Sequence, residues 1–463
     1  MRDRNAEFVS QQQARDIRRR AKQVDSMDFF NLITGPELLE TLEGLMPEYR
    51  ERKFPPTVTL AMFLGQVLRA DSSCQNAVNE AIVNQLLSGA SAVSANTGGY
   101  CLARQRLPLE MIRALGRQTG VLLNQHTPPD WLWRGRHVKL TDGTTTLMPD
   151  TQQNQERFPQ HGRQEEGAGF PIARLVCVMS LANGAVLDMA LGPYQGKGTG
   201  EYGLFRELLG SFAPGDVMLA DSYYCSYFLI AELQRRGVDV VFEQHGARHT
   251  DFRTGEKVGA RDHVVTWSKP KLRPAWMTRQ EYEAYPAELT LREVKVRKKV
   301  LVTSFLNPRE VCKREIGQLF LRRWNVELDL RNMKSTLGME RLTCKTPEMC
   351  EKELSIYVLA YNLIRLLMAQ AADQAGVLPR QLSFKHTVQV WVAWSQRQFL
   401  SDASEDTAAM FRLIAHIRVG NRPGRMEPRL VKTRPKPFGR LQTTRRKARA
   451  NIKKYGHPKK LTA

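Results

Sequence analysis

Three carboxylates in this chain could do chemistry together. They are Asp142 in "TDGTTTLMPD", Asp221 in "GDVMLADSYY" and Glu327 in "LFLRRWNVELDLRNMKSTLGME". They lie 79 and 106 positions apart, so only a fold can bring them to one place. Converging carboxylates repel one another strongly unless cations neutralise them. Hard oxygen ligands with open coordination suit Mg²⁺, with Mn²⁺ as a substitute. Two such ions about 4 Å apart stabilise both the attacking and the leaving oxygen of a phosphoryl transfer. Each residue also has a plainer reading. Asp at a strand end is a common turn former, and Glu327 can pair with Arg323 at i,i+4 on a surface helix.

The stretch around Glu327 mixes acids with Arg322, Arg323, Arg331, Lys334 and a tryptophan. Wound at about 100° per residue, Phe320, Arg323, Glu327 and Lys334 fall within roughly 60° on one face. Asp329 lands roughly 200° from Glu327. It is expected to be structural, paired with Arg322 or Arg331.

The elements that must position these residues can be read from periodicity. Residues 1–130 read as a helical domain, with 3.6-type spacing in "LAMFLGQVLRA" and "AVNEAIVNQLLSGA" and a helix pair split at Pro108. Such a domain could bind DNA or merely cap the rest, and the sequence leaves both open. From Arg136 the period changes. "HVKLTDGTTTLMPD" reads as a strand, a turn at Asp142-Gly143 and a second extended piece. "ARLVCVMSLANGAVLDMALG" is a hairpin around Asn183-Gly184. A helix, the strand of "GDVMLADSYY", the helix "SYFLIAELQRRG" and the strand "VDVVFEQ" follow. The order β-β-β-α-β-α-β is that of a ribonuclease-H-like core, so the expected fold is mixed α/β. Asp142 and Asp221 then stand at strand ends, where α/β sites are built, and a late helix can lower Glu327 onto the same spot. The expected organisation is residues 131–244 as the first part of this core, 245–308 as a β-rich insertion and 309–375 as core helices carrying the third acid. Residues 376–463 form a helical region and a basic tail.

Composition narrows the partners. The net charge is +22, of which the stretch from Asn421 to Ala463 supplies +14 through fifteen Lys or Arg against Glu427. A polyanion is the natural partner, and nucleic acid is the commonest one. Proline and arginine in "RPGRMEPRLVKTRPKPFGR" predict an extended tail. The longest apolar run, "YVLAYNLIRLLMAQAA", is broken by Asn362 and Arg365, and the N-terminus has no apolar core of a signal peptide. A cytoplasmic, nucleoid-associated protein without a membrane partner is expected. Seven scattered cysteines lack any C-x-x-C, which argues against a zinc ribbon or redox pair. "GPYQGKGTGE" fails as a P-loop because Gly192 is too close to Gly196 and Gly198 replaces Ser/Thr. It also fails as a dinucleotide fingerprint, since Glu201 takes the third glycine's place. A loop near the active site remains.

These motifs together resemble the DDE transposases of the insertion-sequence-four family. That family carries Tyr-x2-Arg-x3-Glu-x6-Lys on the helix of its third acid. Arg323, Glu327 and Lys334 match it, with Phe320 where tyrosine is usual. "TDGTTTLMPDT" is similar to the family's first-Asp region and "GDVMLADSYYCSYF" to its second, with Ser222 where many relatives have Arg. "YNLIRLLM" and "RPGRMEPRLVKTRPKPFGRL" are similar to family C-terminal segments. The resemblance covers most of the chain, weakly before residue 95.

The resemblance implies a DNA transposase that uses two Mg²⁺ ions, bridged by Asp142 and completed by Asp221 and Glu327. It implies cut-and-paste movement of an insertion sequence through a hairpin intermediate, in a homodimeric synaptic complex on terminal inverted repeats and target DNA. Arg323 and Lys334 would grip the element's end, and Phe320 would pack or stack. An insertion-domain tryptophan, Trp267 or Trp276, would stack on a flipped base, though either could equally be core. The alternatives are a stand-alone nuclease of the same fold and an inactive DNA-binding relic.

Overall fold

A computed structural model describes residues 40, 44–46, 54–87, 94–162, 164–196, 198–395, 403–419 and 443–456. The expected extended tail and nearly all of the chain before Phe54 lie outside these residues. Nine strands form one sheet: β1 (Val138–Leu147), β2 (Ile172–Ser180), β3 (Val186–Pro193), β4 (Val217–Ala220), β5 (Asp239–Glu243), β6 (Glu256–Gly259), β7 (Asp262–Ser268), β8 (Glu288–Val296) and β9 (Lys299–Thr303). Their order is β3-β2-β1-β4-β5-β9-β8-β7-β6. β1 pairs antiparallel with β2, and β2 with β3, while β1, β4 and β5 run parallel. The later strands join antiparallel to β5 and widen the same sheet. β8 and β9 turn at Arg297, which takes φ 53°.

Alternation along the strands separates two faces. Leu140, Cys177, Met179, Val217 and Leu219 pack on one side, and Val176, Val178, Met218, Ala220 and Val240 on the other. The first face is covered by helices. The longer helices of the chain are α1 (Pro56–Leu68), α2 (Cys74–Leu87), α3 (Gly98–Arg106), α4 (Leu109–Gln125), α5 (Tyr227–Arg235), α6 (Lys313–Leu321), α7 (Asn325–Arg331), α8 (Pro347–Gln374), α9 (Phe384–Ser395), α10 (Ala403–His416) and α11 (Arg445–Tyr455). α5 lies on the second face, where Phe228, Leu229 and Ile230 are buried.

α8 is the spine of the first face. It starts at Thr346, whose hydroxyl caps Met349 N, with Pro347 in the first turn. Among the described helices it alone is long and apolar enough to cross a membrane, yet 89% of its apolar window is buried within the protein. Its polar residues are core fasteners rather than breaks. Asn362 donates to Gly116 O and Val186 O at 2.8 Å each and accepts from Val186 N at 2.8 Å. Each such bond contributes about 1 kcal/mol net, and losing one partner strands a buried group at greater cost. α4 approaches β3 so closely at Gly120 that a Cβ there would stand 1.9 Å from Val186 O.

Two expectations are corrected here. Asp142-Gly143 is not a turn: β1 runs straight through it, with Asp142 opposite Cys177 and Gly143 opposite Val176. Nor is the stretch around Glu327 one uniform helix. α6 tightens into a 3₁₀ turn at Arg322–Trp324, and α7 widens into a π turn at Asn332–Thr336.

Candidate active site

β1 is paired with β2 along its whole length, but its other edge is covered only at the ends. β4 pairs with Val138, Lys139 and Leu140 and then stops. At the far end, Leu147 N donates to Glu340 O (3.0 Å), Leu342 N donates to Leu147 O (2.8 Å) and Thr146 Oγ1 donates to Met339 O (2.7 Å). Between these contacts the edge at 142–145 has no strand partner among the described residues. Asp142 sits at the start of this opening, and Asp221 directly follows β4 beside it. By strand alternation both belong to the face of Leu140 and Leu219, the face on which α7 buries Val326 and Leu330.

The two aspartates feel each other. Burial pushes the Asp142 carboxyl up to about 6, the Gly143 N–H at 2.8 Å opposes this, and the charge of Asp221 adds to it. Asp221 is oriented by Tyr223 N, which donates to its Oδ1 at 2.9 Å. The second oxygen of each carboxylate has no protein partner among the described residues.

Glu327 is joined to them through Arg323. The guanidinium donates to Glu327 Oε1 at 3.0 Å, and its charge also acts on Asp142. What aims Glu327 is the residue two positions on. Asp329 is 1% exposed and is gripped by Arg365 of α8 and by Arg380, whose Nη1 donates at 2.8 Å. Arg380 also donates to Leu181 O and Ser180 O at the end of β2, at 2.6 and 2.8 Å. α7 is thus bolted to the core by its Asp329 side, while Glu327, on another side of the helix, pairs with Arg323. Asp329 is structural, but its partners are Arg365 and Arg380 rather than the expected Arg322 or Arg331.

The remaining expected residues divide. Lys334 lies in the π turn, half-buried, with no ion-pair partner among the described residues. Phe320 is buried at the end of α6, with the Lys299 ammonium 5.4 Å from its ring centroid. Trp267 is buried in β7; its Nε1 donates to Glu293 at 2.8 Å and Arg248 covers its face at 3.6 Å. It belongs to the core of the widened sheet and is closed to a base. Trp276 is exposed, with Arg206 4.1 Å from its centroid and Tyr202 5.9 Å away.

Several residues escaped the reading of the sequence. Glu201 approaches from the second face, and its carboxyl is raised by burial, opposed by Arg174 and reinforced by Asp221. Tyr224 is 1% exposed, and its hydroxyl has no partner among the described residues. Tyr223 and Trp324 are exposed aromatics next to Asp221 and Arg323. The one signal for Glu201 was its place at the end of "GPYQGKGTGE".

The donor chemistry fits a divalent cation: hard carboxylate oxygens, crowded until one arrives, each aspartate with a free oxygen and an orphaned hydroxyl close by. Among the described residues no three such side chains stand close enough to form a ready-made cage, and Glu327 is held by Arg323.

The family described as "Transposase DDE domain" matches residues 133–363, which include all three carboxylates. The chain is 28% identical over 403 residues to "Transposase InsG for insertion sequence element IS4" of Escherichia coli (strain K12), covering 83% of this chain and 87% of that protein. Among solved structures, the "Cryo-EM structure of piggyBac transposase synaptic complex with hairpin DNA (SNHP)" aligns at TM-score 0.40 and 12% identity, over 83% of this chain and 82% of that one.

Proposed function

The chain is a DDE transposase of the insertion-sequence-four type, a DNA-cleaving and strand-transferring enzyme, and from that premise we propose cut-and-paste transposition with Asp142, Asp221 and Glu327 as its catalytic acids. The observation that carries this reading is the meeting of Asp142 and Asp221 at the stretch of the β1 edge left open among the described residues, with Glu327 linked to them through Arg323. The strand order β3-β2-β1-β4-β5 supports a ribonuclease-H-like core formed by residues 131–244 and 309–375. Residues 245–308 then read as an insertion that widens its sheet.

DDE domains work with divalent metal ions; here they are taken to be two Mg²⁺, replaceable by Mn²⁺, held by Asp142, Asp221 and Glu327. Bound there, the ions would stabilise charge on the attacking and leaving oxygens. The chain's own groups do the rest. Arg323 exchanges Glu327 for a phosphate of the element's end, and Lys334, which has no carboxylate partner among the described residues, takes another. Trp276, unlike Trp267, presents a ring to solvent beside the helix that carries Glu201, and it is the insertion tryptophan assigned to base stacking. Water opens the phosphodiester at the end. The freed 3′-hydroxyl then attacks the opposite strand to give a hairpin, and after its opening the same hydroxyl attacks target DNA. Two copies of the chain would pair the two terminal inverted repeats, in the cytoplasm of a bacterium and on its nucleoid.

The test is incubation of the full chain with two duplexes carrying the element's ends, a target plasmid and Mg²⁺. Hairpinned ends and products joined to target support the proposal. Cleavage without joining at any ratio of ends would leave a nuclease instead.

A further inference from the structure

We propose that Glu201 is a fourth carboxylate of the metal centre, reaching Asp142 and Asp221 from the opposite face of the sheet over Gly143, with the Tyr224 hydroxyl as a hydrogen-bond donor to the same centre. The proposal rests on the reading of Asp142 and Asp221 as metal ligands.

The first observation is steric. Gly143 is not among the residues with positive φ, so no backbone strain explains a glycine inside a ten-residue strand. The close approach of Glu201 does. A Cβ at 143 would stand 2.5 Å from Glu201 Cδ and 2.7 Å from its Oε1. Gly143 alternates with Asp142, so this space opens on the second face, where Leu204 and Phe205 of the same short helix are buried. β4 has already left the edge of β1 at this point, so among the described residues no strand pairs with that edge between Glu201 and the aspartates.

Glu201 is also delivered there. The glycine-rich stretch ahead of it is fastened by Arg174, whose Nη1 donates to Thr199 O at 2.8 Å. Gly200 caps the helix that Glu201 begins. A Cβ at Gly200 would lie 3.5 Å from the Tyr223 hydroxyl, two residues after Asp221. The stretch that failed as a nucleotide loop thus places Glu201 where its charge acts on Asp142 and the charge of Asp221 acts on it.

The second, independent observation is Tyr224. Its ring is fixed edge-on against Phe205, with centroids 5.2 Å apart. Its hydroxyl is fully buried and has no partner among the described residues. The charges that act on it, after burial itself, are Glu201, Asp142 and Asp221. A buried donor left unpaired within the field of three carboxylates wants an acceptor, and a group bound by those carboxylates would supply one.

Removing a supporting group around a metal typically lowers affinity 10- to 100-fold. The test is a Mn²⁺ titration of the full-length protein, read as free Mn²⁺ by electron paramagnetic resonance, with melting temperature in EDTA as the check on folding. Asp142→Asn is expected to lose binding and Glu201→Gln to weaken it about 10-fold, with its metal-free melting temperature close to wild type. Gly143→Ala, which must push the Glu201 carboxyl aside, should weaken binding in the same way, and the double variant should be no worse than either single one. Tyr224→Phe should show a smaller loss. Wild-type Mn²⁺ affinity in both Glu201→Gln and Gly143→Ala, with Asp142→Asn defective, would overturn the fourth carboxylate and leave the transposase reading standing. Wild-type affinity in Asp142→Asn would remove the ligand reading itself.

Discussion

Arg323 holds Glu327 at 3.0 Å, one helical turn away, while its charge also falls on Asp142. Even an exposed i,i+4 pair stabilises a helix by only about 0.3–0.5 kcal/mol, and the partial burial of Arg323 adds a desolvation cost. Stability is therefore a poor reason for an arginine between two acids of one site. On the proposed function the pair would keep a cation where positive charge is needed before metal and DNA arrive.

On this account Arg323→Gln and Lys334→Ala remove phosphate contacts without disturbing the fold. Each should weaken binding to an end duplex and lower the slope of log affinity against log salt by about 1. Melting should stay within about 0.5 kcal/mol of wild type. Gel-shift titrations at several salt concentrations measure this. An unchanged slope in both variants would return the helix face to a purely structural role.

Asp142 has a signature in stability. Its carboxyl is raised from an ordinary value near 3.8 to about 6 in the folded chain. The folded state therefore binds the proton more tightly than the unfolded state, and stability falls as pH rises from about 4 to about 6, then levels. Asp142→Asn removes that loss. Without divalent metal it should be more stable than wild type by about 2–3 kcal/mol at pH 7.5 and no more stable below pH 4. Mg²⁺ should narrow the gap at pH 7.5 by binding the wild type. Thermal melts across pH in EDTA decide it, and a variant less stable than wild type at pH 7.5 contradicts the buried charge.

Asp329 and Glu327 lie two residues apart and should fail in different ways. Asp329→Asn weakens the tie to Arg365 and Arg380 and leaves buried cations short of a partner, at a cost of about 3–5 kcal/mol. Glu327→Gln should melt like wild type yet not cleave. Denaturant unfolding beside a nicking assay separates them. Equal stability of the two variants would undo the argument that Asp329 aims Glu327.

The periodicities that reveal strands and helices carried the order of the core elements, because they are local and repeat over many residues. What failed depended on distant partners. Gly143 reads as a turn from its neighbours, since glycine usually punctuates, whereas its reason is Glu201, 58 positions on. Asp329 has arginines beside it in sequence, but its partners are 36 and 51 positions away. The uniform helical wheel put Arg323 and Glu327 on one face correctly, as their ion pair attests. It could not foresee the 3₁₀ turn that follows α6 or the π turn that follows α7. Trp267 and Trp276 are indistinguishable by composition; only the pairing of β7 with β8 buries the first. Asp142, Asp221 and Glu327 stand out in the sequence because their flanking motifs are specific, whereas Glu201 and Tyr224 sit in motifs with no such mark.

The central claim is that Asp142, Asp221 and Glu327 act as one unit. The most direct measurement is Mg²⁺-dependent nicking of an end duplex by Asp142→Asn, Asp221→Asn and Glu327→Gln, with binding of the same duplex recorded in parallel. The account predicts that each variant loses cleavage and keeps binding, and that combining two costs little beyond one, as for residues that work together. Binding should be equal or tighter, since each substitution removes a negative charge facing phosphate. Normal nicking by all three variants would contradict the account outright.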